Sequence, residues 1–210
     1  MNERQQGRAG SVGSTDVSIS RYLSRGWQIL QQDLALWVLA SILYSAVLGV
    51  VSTTGIGAAI VLGPLEVGWY AVILKRLRTG ALDLDEIARG FHRFVPAFLA
   101  GVAVLAFAFL GFAFFILPGI VVLALYLFVW PILLDEDVDF WSAMERSRRT
   151  ALRHWPQWCL FVVVIGLIHF AGLLFCGVGL LVTLPWTKIA VALAYEEHFR
   201  AAPSPASPPQ

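Results

Sequence analysis

Two stretches of this chain contain no charged residue: residues 34–65 and residues 94–134. About 20 helical residues cross the hydrocarbon core of a bilayer. Each stretch is therefore too long for one crossing and fits two crossings joined by a turn. Turn-forming residues stand where the join is needed, at STTGIG (residues 52–57) and at Leu117-Pro118-Gly119. Proline lacks a backbone donor and glycine accepts conformations that other residues avoid, so both favour a tight reversal. A third apolar run, residues 155–195, breaks at Cys176-Gly177-Val178-Gly179. The expected spans are about 34–53, 56–75, 94–116, 119–134, 155–175 and 179–197. Composition agrees, with 58% hydrophobic residues, a mean hydropathy of +0.73 and 14% charged residues. A soluble domain carries about 25% charge.

The breaks recur. Gly57, Gly119 and Gly179 stand 62 and 60 residues apart, and Phe94-Val95-Pro96 and Trp155-Pro156 repeat at a similar interval. A fixed period of this length marks a structural repeat, and here one period holds one helical hairpin. An amphipathic segment precedes each hairpin. Ile19, Tyr22, Leu23, Trp27, Leu30 and Leu34 make one helical face, as do Leu84, Ile87, Ala88, Phe91 and Val95. Phe140, Met144, Ser147, Ala151 and Trp155 make a weaker one beside Arg146, Arg148 and Arg149. Such helices lie in the membrane interface, apolar face down, or pack on the bundle as connectors. Residues 1–16 and the Pro/Ser stretch 201–210 read as disordered tails around a membrane domain over 17–200.

Charge placement orients the chain. Of fifteen Lys and Arg, four fall in 1–33, five in 75–93 and four in 146–153, with Lys188 and Arg200 besides; the three turns carry none. Basic residues favour the cytoplasmic side, so both termini and the two long loops are expected there, which requires an even number of spans. Residues 1–33 are too polar for a secretory signal peptide. A net charge of +1 gives no argument for a nucleic-acid partner. Cys159 and Cys176, 17 residues apart in one apolar run, stand about 25 Å apart on a helix, too far for a disulfide.

Away from the span ends, only two full charges fall inside the expected spans, Glu66 and Lys188. Each stands nine residues from its turn glycine, Gly57 or Gly179. At ~1.5 Å per residue both lie about 13 Å deep, close to the midplane. A lone charge there costs about 2.5–3.5 kcal/mol on insertion scales, so two opposite charges at one depth are expected to pair. Such a pair is either a lock between the first and third hairpins or a polar site for a substrate or proton; the third reading is a Lys188 that snorkels unpaired. His169 is a candidate third member of that site, or a ring bonded to a backbone or hydroxyl partner. Gly63 and Gly68 flank Glu66 and admit a close neighbouring helix. Pro64, Pro131 and Pro185 each interrupt the second helix of a hairpin. Glu196-Glu197-His198 do not share a helix face and make a poor metal cluster. The acidic loop DEDVD (135–139) reads as solvated. No hydrolase, nucleotide or zinc motif is present, so neither enzyme activity nor a cofactor is expected.

The sequences LPGIVVLALYLFVWPILLDED and GVGLLVTLPWTKIAVALAY, with Ala143 and Ser147 between them, carry a resemblance. Residues 94–197 closely, and 20–93 loosely, resemble uncharacterised bacterial six-helix integral membrane proteins related to the membrane domain of some glycerophosphodiester phosphodiesterases. The resemblance implies a polytopic inner-membrane protein without the catalytic domain and carries no functional residue across. The expectation is an all-α polytopic membrane bundle of six transmembrane helices, three similar hairpins each preceded by an amphipathic interfacial helix. Its expected role is non-enzymatic, organising membrane lipids or protein partners within the membrane. The alternative is a small-solute or lipid permease with a midplane polar site at Glu66, Lys188 and His169.

Overall fold

The computed structural model describes residues 17–53, 57–175 and 177–200. The two tails, Thr54-Gly55-Ile56 of the first turn and Cys176 of the third lie outside the described residues. All regular structure among the described residues is helical: α1 (Ile19–Gln32), α2 (Leu34–Ser52), α3 (Gly57–Thr79), α4 (Arg89–His92), α5 (Phe94–Phe114), α6 (Ile116–Leu125), α7 (Val129–Asp135), α8 (Phe140–Leu152), α9 (Trp155–Leu174) and α10 (Leu180–Tyr195). A 3-10 turn, Leu84–Ala88, leads into α4, and a π turn, Glu196–Arg200, follows α10.

Five segments are long and apolar enough to cross a membrane: α2, α3, α5, α9 and the α6–α7 unit Ile116–Asp135. They fit an integral, multi-pass membrane protein. Helix α10 has 16 residues. It rises about 24 Å, short of a ~30 Å hydrocarbon core.

The core is built on α3 and α10. Residues Leu65 and Val67–Leu74 of α3 and Ile189–Tyr195 of α10 are buried almost without interruption. Helix α3 packs on α2, α5, α7 and α10, and α10 also packs on α1, α2 and α9. The outer helices α2, α5 and α9 bury one narrow stripe each and leave large apolar side chains outward, among them Leu39, Leu43, Phe109, Leu110, Leu167 and Phe170. A lipid-facing helix needs that pattern, because its outward face meets hydrocarbon rather than water.

Three local features differ from the sequence reading. The second reversal falls at Phe115, whose extended backbone (φ −172°, ψ 162°) alone separates α5 from α6. Pro118 stands in the first turn of α6, where its missing N–H costs nothing and its fixed φ suits the helix. The chain breaks instead at 126–128, between α6 and α7. Ser147 of α8 repairs that break: its hydroxyl donates to Leu125 O at 2.8 Å and accepts from Phe128 N–H at 3.2 Å. The third break, by contrast, stands where expected, with Gly177 at φ +77°, a left-handed position suited to glycine. Pro64 and Pro185 sit inside unbroken helices.

The lead-in segments differ among themselves. Helix α1 lays Tyr22, Gly26 and Leu30 against the bundle and packs on α10, so the buried part of its stripe meets protein. Trp186 Nε1 donates to Leu23 O at 2.8 Å across that contact. The second lead-in is a 3-10 turn and a single turn of α4, leaving Phe91 and Val95 exposed. Leu84 and Ile87 of the expected stripe pack on the core, and Gly90 makes the closest approach: a β-carbon there would stand 1.9 Å from Pro64 O. Helix α8 buries Ala143, Met144, Ser147 and Ala151 and packs on α5, α6 and α7.

Candidate functional site

Helix α2 turns Trp37, Ala40, Ser41 and Tyr44 inward, at i, i+3, i+4 and i+7. The Ser41 hydroxyl returns its proton to Trp37 O at 2.9 Å, so the helix carries this polar group without an unmet donor. Tyr44 thereby faces Glu66 and Trp69, one turn apart on α3. From the other side α10 brings in Lys188. The three helices pack pairwise on one another, so the four side chains share one junction.

At that junction Lys188 Nζ lies 2.5 Å from Glu66 Oε1. The Tyr44 hydroxyl donates to the same carboxylate oxygen. Nζ also stands 4.6 Å from the Tyr44 ring centroid and 5.7 Å from that of Trp69. The two rings meet edge to face at 5.1 Å. The lysine and glutamate side chains are 13% and 14% exposed. Neither is sealed, and their mutual contact satisfies charge that hydrocarbon would not.

His169 of α9 makes a different contact. Its Nε2 is 3.0 Å from Thr187 Oγ1 on α10. The Thr187 hydroxyl proton goes to Thr183 O at 2.9 Å, which leaves the histidine N–H as donor. Thr187 and Lys188 are adjacent in sequence, yet no hydrogen bond joins His169 to Glu66 among the described residues. The histidine bonds a hydroxyl, and the carboxylate takes tyrosine and lysine.

A second constellation sits at the polar end of the bundle, where α3, α7 and α10 finish. Arg78 closes on Asp135 through both terminal nitrogens, one of them at 2.8 Å, and stands 2.6 Å from Glu196. Tyr195 OH donates to Asp135 at 3.2 Å. Arg78, Asp135 and Glu196 stand at the ends of α3, α7 and α10, so a single guanidinium ties three chain segments together. Sequence reasoning missed this node. Its one signal is spacing: Asp135 and Glu196 stand 57 and 118 residues from Arg78, close to the spacings among Gly57, Gly119 and Gly179. Around it Arg76 meets Asp33 at 2.7 Å, Arg146 meets Glu136 at 2.8 Å and Arg93 meets Asp137 at 3.0 Å. These pairs draw the charged segments of the chain to one end.

The acidic loop is thus bound by arginines and by its own helix cap, with Asp139 accepting from Trp141 N and Ser142 N at the start of α8. Those bonds, and that of the Ser142 hydroxyl, hold its carboxyl below the usual range. Glu145, bracketed by Arg148 and Arg149, is lowered to about 2. The Glu196-Glu197-His198 run diverges: Glu196 meets Arg78, Glu197 meets Arg21 at 2.5 Å, and His198 Nε2 lies 3.2 Å from Tyr22 OH. Among the described residues no group of three or more His, Cys, Asp and Glu is placed to hold a metal. Clefts of about 290–360 Å³ open beside Arg78 and beside Arg21 and Arg25, lined by both signs of charge.

Fold and junction together define a class, an all-helical multi-pass membrane protein with an internal lysine–glutamate pair. No family model, curated protein or solved structure matches the chain, and the residues alone assign the roles that follow.

Proposed function

We propose that this chain is a non-enzymatic membrane-organising protein whose Glu66–Lys188 pair locks the third hairpin onto the first. The observation that carries the reading is the Lys188 Nζ–Glu66 Oε1 contact at 2.5 Å. Among the described residues Glu66 and Lys188 are spent on each other, which supports a lock over a site with a free charge for a solute. The outward apolar faces of α2, α5 and α9 are the surfaces for lipid and for protein partners within the membrane. Arg25 and Arg149, exposed on α1 and α8, are the groups that would meet anionic headgroups.

Six spans, three related hairpins, a bacterial inner membrane and cytoplasmic termini belong to the same proposal. What supports them is the ion-pair belt at one end and the uncharged turns at the other. Here α10 would reach the interface where the charged π turn begins. The resemblance to bacterial six-helix membrane proteins is part of this proposal too.

A double-mutant cycle tests it. Glu66→Gln and Lys188→Met each leave a charge without its partner, and each is expected to lower stability by roughly 3–5 kcal/mol. The double variant recovers most of the loss when melted in detergent or nanodiscs. The 13–14% exposure of the pair is the one observation that favours a permease instead. That reading expects both single variants to melt like the parent, with the charges already solvated.

A further inference from the structure

More than a carboxylate holds the Lys188 ammonium. Nζ faces the Tyr44 ring at 4.6 Å and the Trp69 ring at 5.7 Å, both inside the ~6 Å range of cation–π attraction. With Glu66 at 2.5 Å, the cation is enclosed by one negative charge and two aromatic faces. Sites that recognise organic ammonium ions are built from these parts.

The enclosure does not depend on the lysine for its shape. Tyr44 donates to Glu66, and Tyr44 and Trp69 contact each other at 5.1 Å. Trp69 is 2% exposed, and its Nε1 has no hydrogen-bond partner, so packing rather than a polar anchor sets the indole. All three wall residues belong to the first hairpin, on α2 and α3. The cation arrives from the third, on α10.

We infer that Tyr44, Glu66 and Trp69 form a binding site for a primary alkylammonium ion, which Lys188 fills as a tethered ligand. The third hairpin therefore docks on the first by the chemistry of ligand capture. Removing the side chain beyond Cβ takes away a propylammonium and leaves a site of that size and charge. The inference rests on the geometry of the junction and not on the organising role. It fails separately, because the double-mutant cycle reads coupling whereas the experiment below reads binding.

Lys188→Ala is reconstituted in phosphatidylcholine nanodiscs at neutral pH and melted over a series of n-propylammonium chloride concentrations, with sodium chloride at matched ionic strength and 1-propanol as controls. The expected result is a saturable rise in Tm with the amine alone, absent from the parent, whose site is filled. The rise disappears in Lys188→Ala/Glu66→Gln, and its midpoint moves several-fold higher in Lys188→Ala/Trp69→Leu. A folded Lys188→Ala that gains nothing from the amine overturns the inference, as does an equal gain from 1-propanol or in the Glu66→Gln background. Where Lys188→Ala is too unstable to purify, amine present from solubilisation onward restores folded yield, and no restoration overturns the inference.

Discussion

Arg78 grips Asp135 with both ends of its guanidinium while the same group reaches Glu196 at 2.6 Å. A planar fork matches a carboxylate in a way an ammonium cannot. Arg78→Lys therefore keeps the charge but loses one of the two carboxylates from the node. The expected loss is about 1.5 kcal/mol, at the low end for hydrogen bonds to charged groups because the site is partly exposed. Thermal melts at low and high salt check it. Salt narrows the difference between parent and variant, since screening weakens what the fork adds.

Ser147 answers a different demand. The break at 126–128 releases Leu125 O and Phe128 N–H beside the fully buried Ser147, and one hydroxyl takes both. Ser147→Ala leaves both unmet at a position with no exposure. The expected cost is about 1–3 kcal/mol. Ser147→Cys, a weaker donor and acceptor of similar shape, falls between parent and alanine. Equal melting of parent and alanine variant would show that another group satisfies the break.

The helices were legible because the uncharged runs and their turn residues are local signals. Counting nine residues inward from Gly57 and from Gly179 sets Glu66 and Lys188 at one level, and their side chains meet across the bundle. Counting gives depth but not the rotation of α2 about its axis, so Tyr44 and Trp69 stayed out of view. The Arg78 node was illegible for another reason. Each member looks like an ordinary boundary charge, and the partners lie 57 and 118 residues away with no local pattern joining them. Pro118 misled because proline reads as a breaker, whereas in a first turn it is a helix former.

Helix approach sets the third prediction. A β-carbon at Gly63 would stand 1.9 Å from Ala97 O, a backbone atom of α5 that cannot swing aside. Gly63→Ala therefore separates α3 from α5 at an expected cost of about 1–3 kcal/mol. Gly166 of α9 has nothing within 4 Å of the same position. There the added methyl only favours the helix, and Gly166→Ala is expected to gain up to about 1 kcal/mol. Melting temperatures moving in opposite directions for the two variants are the test. A loss at both would mean that α9 carries a neighbour on its outward face.

His198 makes the bundle sensitive to acid. The ring stacks edge to face on Trp158 at 5.2 Å and its Nε2 meets Tyr22 OH at 3.2 Å. Burial lowers its pKa, opposed by Glu197 and aided by His154 and Arg21. The folded protein thus binds the proton less well than the unfolded chain does, and acid favours unfolding. Its contribution is intact above the ordinary histidine value of ~6.5. It is lost as pH falls from there through the lowered folded value. Melting curves for the parent and for His198→Gln between about pH 8 and about pH 5 isolate the effect. The parent is expected to lose stability more steeply below ~6.5. Parallel curves would overturn the assignment of the acid response to His198.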